Sequence, residues 1–168
     1  VLFRSAQIPG LNVEAVGSFF AGGGAVQFVK DYAAAGLRAK TPLYGSGFLT
    51  EGTLGGQGPA AEGLQTALHY GDGLNTPKDN AFREAFKKKA GRDADVYAVQ
   101  GYDAAQLLKI GADAVKGDLG AKKDAIAAME KAKIDSPRGA FTLGKSHNPV
   151  QDFYLRTVAS KENKPRSE

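Results

Sequence analysis

The chain has 168 residues, enough for a domain with a real core, and 42% hydrophobic against 24% charged is a globular balance. Its 22 Lys and Arg against 18 Asp and Glu give a net charge of +4, and the basic residues run along helical stretches rather than among aromatics, which argues against nucleic-acid binding. No apolar run approaches the roughly 18 residues of a membrane span, and the absence of cysteine excludes disulfides, thiolate metal sites and a cysteine nucleophile within the chain.

Both ends look artificial. Residues 1–5, VLFRS, back-translate as GTGCTCTTCCGATCT, the end of a common sequencing-library adapter, and residues 166–168, RSE, fit AGATCGGAA from its complement. The expectation is a natural segment cut from a longer gene, with these scars set aside from fold reasoning.

In chain order, residues 13–20 read as a short strand ending in two aromatics, Phe19 and Phe20. Gly22, Gly23 and Gly24 read as a tight turn into a helix over 25–35. There Ala25, Val26, Phe28, Val29, Tyr32 and Ala33 share a face, and Gly36 is a natural stop. Residues 42–48 read as the next strand, 54–61 (LGGQGPAA) as a loop, and 63–70 (GLQTALHY) as a third strand. Thr76 as N-cap, Pro77 at the first position and Asp79 in the first turn open a helix with Ala81, Phe82, Ala85 and Phe86 as its apolar face and Gly91 as its end. A long helix follows over 95–116 and a shorter one over 122–132. Residues 136–139 turn into 140–143, and 153–159 (FYLRTVA) alternate like a strand. The order is strand–helix–strand–strand, a helical block, then two strands. A single doubly wound domain would alternate more evenly, so the chain reads as parts of two lobes.

Catalytic and cofactor chemistry finds no support. The glycine run from Gly22 places Gln27 where a dinucleotide fingerprint needs Gly or Ala, and Gly45-Ser46-Gly47 stands where a ribose-binding acid belongs. Ser46 lacks the preceding glycine of a nucleophile elbow, because Tyr44 occupies that place, and neither His69 nor His147 falls at a triad spacing. His69 reads as structural. His147 with Asp152 makes only a thin case for a metal site. Asp93 and Asp95 complement a helix start, Asp103 joins no cluster, and Tyr97 and Tyr102 read as packing residues. What remains is a binding cleft: Phe20, Ala21, Gly22 and Gly23 after the first strand, and Ser46, Gly47 and Phe48 after the second. Glycines would let a ligand reach backbone N–H groups, Phe20 or Phe48 would cover its apolar part, and Ser46 would hydrogen-bond it.

Five segments, SFFAGGGAVQFVKDYAAAGL, TPLYGSGFLTEG, AAEGLQTALHY, NTPKDNAFREAFKKKAGRDADVYAVQGYDAAQLL and SPRGAFTLGKSHNPVQDFYLRTVA, resemble in order and spacing the type I periplasmic binding proteins of the branched-chain amino-acid (Leu/Ile/Val) branch of ABC transporters. The resemblance implies an α/β fold of two Rossmann-like, three-layer α/β/α lobes joined by hinge crossovers, only partly represented here. It implies that 6–70 belong to the second lobe, 71–135 to a helical part of the first, and 136–165 to the return. It further implies a non-enzymatic solute carrier with no cofactor or metal, outside the membrane and in the periplasm, with ABC permease subunits as partners and a signal peptide in the missing N-terminal part. A sensor domain of the same fold and a nucleotide-dependent or hydrolytic α/β enzyme are the rivals.

One departure bears on the solute. Amino-acid-binding members tend to carry an acid in the loop matching Gly45-Ser46-Gly47, and an aromatic where Gly23-Gly24 stands. Here the nearest acid is Glu51. The departure favours an aromatic or other organic acid, or an amide, over a standard α-amino acid, with a branched-chain amino-acid-like solute as the alternative.

Overall fold

The structure is a computed structural model that describes residues 7–72, 74–118 and 120–159, and the backbone of 164–167. Residues 1–5, expected to be an adapter scar, and the last residue of 166–168 lie outside the described residues. In chain order the elements are β1 (Val16–Ser18), α1 (Gly22–Ala34), β2 (Leu43–Ser46), α2 (Leu54–Gln57), β3 (Gln65–Leu68), α3 (Pro77–Ala90), α4 (Val96–Ala114), α5 (Lys122–Glu130), β4 (Lys133–Ile134), β5 (Phe141–Leu143), β6 (Pro149–Val150), β7 (Tyr154–Ala159) and β8 (Lys164–Ser167). Short 3-10 turns at Gly47–Leu49 and Gly58–Ala61 flank α2. The chain divides into two compact units: Val1–Leu74 with Phe153–Glu168, and Asn75–Asp152. The sequence reading placed the return at 136, but 136–152 cluster with the second unit, because β5 and β6 pair with β4 there.

The first unit is a five-stranded sheet in the order β1-β2-β3-β7-β8. β1, β2 and β3 run parallel, whereas β7 joins β3, and β8 joins β7, antiparallel. One sheet face packs against α1 in a core that includes Phe28, Val29, Tyr32, Leu43, Leu64 and Val158. Each such side chain contributes roughly 1.5–3 kcal/mol by leaving water. The buried Tyr32 hydroxyl donates to the Thr41 carbonyl at 2.8 Å, and its burial raises the phenol pKa. The opposite face holds the aligned row Tyr44, Gln65, Thr157 and the row Ser46, Ala67, Leu155. Tyr44 is 46% and Leu155 51% exposed, so helices cover one face of this sheet within the unit.

Three local expectations change. The strand expected over 13–20 is confined to Val16–Ser18, the residues with a pairing partner on β2. The glycines expected to form a turn are the first turn of α1, with Gly22 at φ +56° as its entry. The loop expected over 54–61 is helical. Thr53 Oγ1 and Gln57 Nε2 both donate to the Leu49 carbonyl, at 2.9 and 2.6 Å, which anchors α2. Gly56 lets it approach α1, since a Cβ there would stand 3.1 Å from Val26.

In the second unit the caps of α3 fall where the sequence puts them, and Asp95, expected only to complement a helix start, is the N-cap of α4. Thr76 accepts from the Asp79 amide at 3.1 Å, Gly91 closes α3 at φ +70°, and Asp95 accepts from the Ala98 amide at 2.9 Å to start α4. Gly111 of α4 brings α5 close, a Cβ there being 3.0 Å from Met129. Ala132, Ile134 and Phe141 form a small core with Leu107, Ile110 and Leu143 around it. The apolar face of α3 is largely uncovered in this chain: Ala81 and Ala85 are exposed, and Phe82 stacks on Phe86 and Tyr102. Tyr97, expected to pack, is exposed.

Asp103, which the sequence reading placed in no acidic cluster, has a structural role that the reading did not assign. It is buried on α4 and accepts from both Ser136 Oγ and Arg138 Nε at 2.9 Å, while the Arg138 guanidinium lies 4.4 Å from the Phe141 ring centre. Burial pushes its carboxyl pKa up, against the opposing pull of Ser136 and Arg138. The cluster ties the 136–139 turn to α4.

Candidate functional site

The parallel strands β1 and β2 end side by side, with Ser18 aligned to Gly45, and the candidate residues follow at their carboxyl ends. After β1 the two aromatics part. Phe20 turns inward and stacks on Phe28 of the core, ring centres 4.6 Å apart. Phe19 turns outward, is 74% exposed, and meets the Phe48 ring edge-to-face at 6.1 Å. The outward aromatic pair of these loops is thus Phe19 with Phe48, not Phe20 with Phe48. The two consecutive rings part just beyond the end of β1.

Ala21 is the N-cap of α1 in extended conformation and caps nothing with its methyl side chain. No acidic residue occupies the first turn, and nothing lies within 4 Å of a Cβ built on Gly22 or Gly23. The first amides of a helix have no partner within the helix and stand at the positive end of its dipole. Among the described residues, Ser46 Oγ is buried without a hydrogen-bond partner. Gly47 has a packing reason to be glycine, since a Cβ would stand 2.5 Å from Leu68 Cβ.

Beneath this turn lies a group the sequence reading missed. Arg156 points inward from β7 and is 1% exposed. It pairs with Glu51 at 2.8 Å and also donates to the Gly47 carbonyl at 3.0 Å. The signal was present in FYLRTVA, where an arginine shares the parity of the buried Val158 while Leu155 takes the outward one. Glu51, the acid nearest the glycine loop, is consequently engaged in an ion pair with 7% of its side chain exposed.

Other chemistry-bearing residues lie elsewhere. His69 is buried with its ring edge-on to Phe153 at 6.2 Å. His147 Nε2 sits 2.9 Å from Glu130 Oε1 rather than beside Asp152, and among the described residues no three metal-binding side chains converge. In the first unit a hollow of about 290 Å³ lined by Arg38, Pro42, Leu43 and Gly63 opens near the amino ends of β2 and β3, away from the glycine loops. No helix among the described residues is long and apolar enough to cross a membrane.

Residues 5–163 match the family described as Periplasmic binding protein. The chain belongs to that family. This periplasmic binding protein chain is 46% identical to an ABC-transporter solute-binding protein from R. palustris solved in complex with benzoate. The TM-score is 0.89, over 98% of this chain and 45% of that one. A second R. palustris solute-binding protein, solved with 4-hydroxybenzoate, is 28% identical with a TM-score of 0.89, over 99% of this chain and 47% of that one. Among curated proteins, the Leu/Ile/Val-binding protein homolog 6 of Brucella abortus is 32% identical over 144 residues, 81% of this chain and 36% of its own length. The chain therefore spans 36–47% of the length of these relatives.

Proposed function

We propose that this chain is the C-terminal part of a solute-binding component of an ABC importer, and that its solute is a small aromatic carboxylate of the benzoate class. In this reading the unit built on β1–β3 belongs to the second lobe and the helical unit to the first. The solute lies against the loops after β1 and β2, and its binding favours the closed form that docks on the permease. No covalent chemistry is involved. The site acts in the periplasm, with the targeting signal encoded upstream.

The observation that carries the choice of solute is the state of Glu51. An α-amino acid needs a carboxylate for its ammonium group, and the acid nearest the loop is held by Arg156 at 2.8 Å. The outward Phe19–Phe48 pair offers an aromatic wall, and the uncapped start of α1 offers amides to a negative group. The 46% identity to a benzoate-bound protein agrees with this choice.

The Brucella relative's name favours a branched-chain amino acid as the second reading. Titration calorimetry on the full-length protein separates the two. Benzoate is expected to bind with a dissociation constant of micromolar order or tighter and leucine not measurably. Tight leucine binding without benzoate binding would refute the aromatic-acid reading.

A further inference from the structure

The Arg156 guanidinium uses all its nitrogens. Nε donates to Thr66 Oγ1 at 3.3 Å; Nη1 donates to Glu51 Oε2 at 2.8 Å and the Tyr70 carbonyl at 3.3 Å. Nη2 donates to the Gly47 carbonyl at 3.0 Å, Thr50 Oγ1 at 2.9 Å and Thr66 Oγ1 at 3.2 Å. Gly47, Thr50 and Glu51 all belong to the turn that follows β2. A guanidinium can stay charged out of water only when it is paired and hydrogen-bonded, and its planar fork lets one group hold carbonyl, hydroxyl and carboxylate together. A lysine ammonium, a point charge, cannot span the same acceptors.

We infer that Arg156 and Glu51 form a positioning and specificity pair for the solute site. Arg156 fixes the 47–51 turn from which Ser46 and Phe48 are presented, and by holding Glu51 it denies the site a carboxylate for an ammonium group. The turn is gripped from two sides: Arg156 pulls on its carbonyl and hydroxyl groups, while Leu68 fills the space a Gly47 side chain would need. Opposite charges cancel beneath it, so the wall offered to an organic acid carries no net negative charge from this pair. The Tyr70 carbonyl brings the same grip to the last part of the chain before Leu74, where the first unit's leading segment ends. The specificity half of this inference rests on the solute reading above; the positioning half does not.

The test compares Arg156→Lys, Arg156→Met and Glu51→Gln with wild type in the full-length protein. Hydrogen exchange is followed without solute, and calorimetry is run with benzoate, benzamide and leucine. In both Arg156 variants the amides of 47–51 are expected to exchange about ten-fold faster or more, with α1 unchanged. Arg156→Met leaves the Glu51 charge uncompensated and lowers the benzoate-to-benzamide affinity ratio about ten-fold, as a unit charge within several ångströms does in a partly polar interior. Glu51→Gln keeps an oxygen acceptor for the fork and moves that ratio the other way. Arg156→Lys speeds exchange but leaves the ratio near wild type.

Unaltered exchange at 47–51 in both Arg156 variants overturns the positioning role, whatever the solute. An unaltered ratio in both Arg156→Met and Glu51→Gln overturns the specificity role. Should Arg156→Met fail to fold, Arg156→Lys decides the exchange arm and Glu51→Gln the ratio arm. If wild type binds leucine and no benzoate, the solute reading and the specificity role fall together, while exchange still judges positioning.

Discussion

A methyl group on Gly47 would stand 2.5 Å from Leu68 Cβ, whereas one on Gly23 would meet nothing within 4 Å. Two glycines proposed for one site thus answer to different constraints. Gly47→Ala is expected to cost about 1–3 kcal/mol, because β3 cannot retreat without disturbing the sheet. Gly23→Ala is expected to raise stability by roughly 0.5–1 kcal/mol, since it adds a better helix former to the first turn of α1, yet to weaken benzoate binding by obstructing the amides. Urea unfolding followed by calorimetry checks both; a Gly23→Ala protein that binds benzoate as wild type does would remove that loop from the site. Asp103 gives a pH signature at the same scale. Its folded pKa lies above the usual 3.8, so the folded state holds this proton more tightly than the unfolded state. Its contribution is therefore fully present below 3.8 and is lost as pH rises through the higher folded value. Thermal melts from about pH 3.5 to about pH 6 are expected to show wild type losing stability relative to Asp103→Asn as pH rises.

Among the elements, those with explicit punctuation were legible. The Thr76-Pro77 start and Gly91 stop of α3 stood in the sequence because capping is local chemistry: a hydroxyl, a missing N–H and a residue tolerant of positive φ. Thr76→Ala is expected to cost about 1 kcal/mol, read from faster hydrogen exchange in the first turn of α3 and from a lower urea midpoint. The segment LGGQGPAA was illegible for the opposite reason. Its glycines speak for a loop, and what makes it helical is the Leu49 carbonyl, accepting from Thr53 and Gln57, together with the approach to Val26. β4 and β6, two residues each, owe their existence to pairing with β5 and leave no periodic trace. Of the candidate site, the placement of the two glycine loops after β1 and β2 was readable from strand-then-glycine grammar. The choice between Phe19 and Phe20 was not, because it depends on which face α1 covers. Arg156 was visible only as a parity anomaly whose partners are remote in sequence.

At the scale of the whole molecule, apolar surface remains open in both units. Phe19, Leu155 and Phe153 are exposed in the first, Leu108 and Val150 in the second. With this chain spanning 45% of a benzoate-bound relative, the 168 residues alone are expected to bind benzoate at least about a hundred-fold more weakly than the full-length protein, and to bind a hydrophobic dye such as ANS. Equal affinity of the two would mean that these loops suffice without a facing wall. The Arg156–Glu51 bond adds a constraint in time, because it joins residues 105 positions apart. A ribosome making the chain at about 5–20 residues per second delivers Glu51 several seconds before Arg156. During that interval the turn after β2 has its strand but lacks the cation that holds it, and a buried carboxylate without its partner is unfavourable. Under the proposed function, the turn after β2 is finished only once β7 docks. A chain interrupted just before residue 156 would retain every residue of both glycine loops and still lack a finished turn.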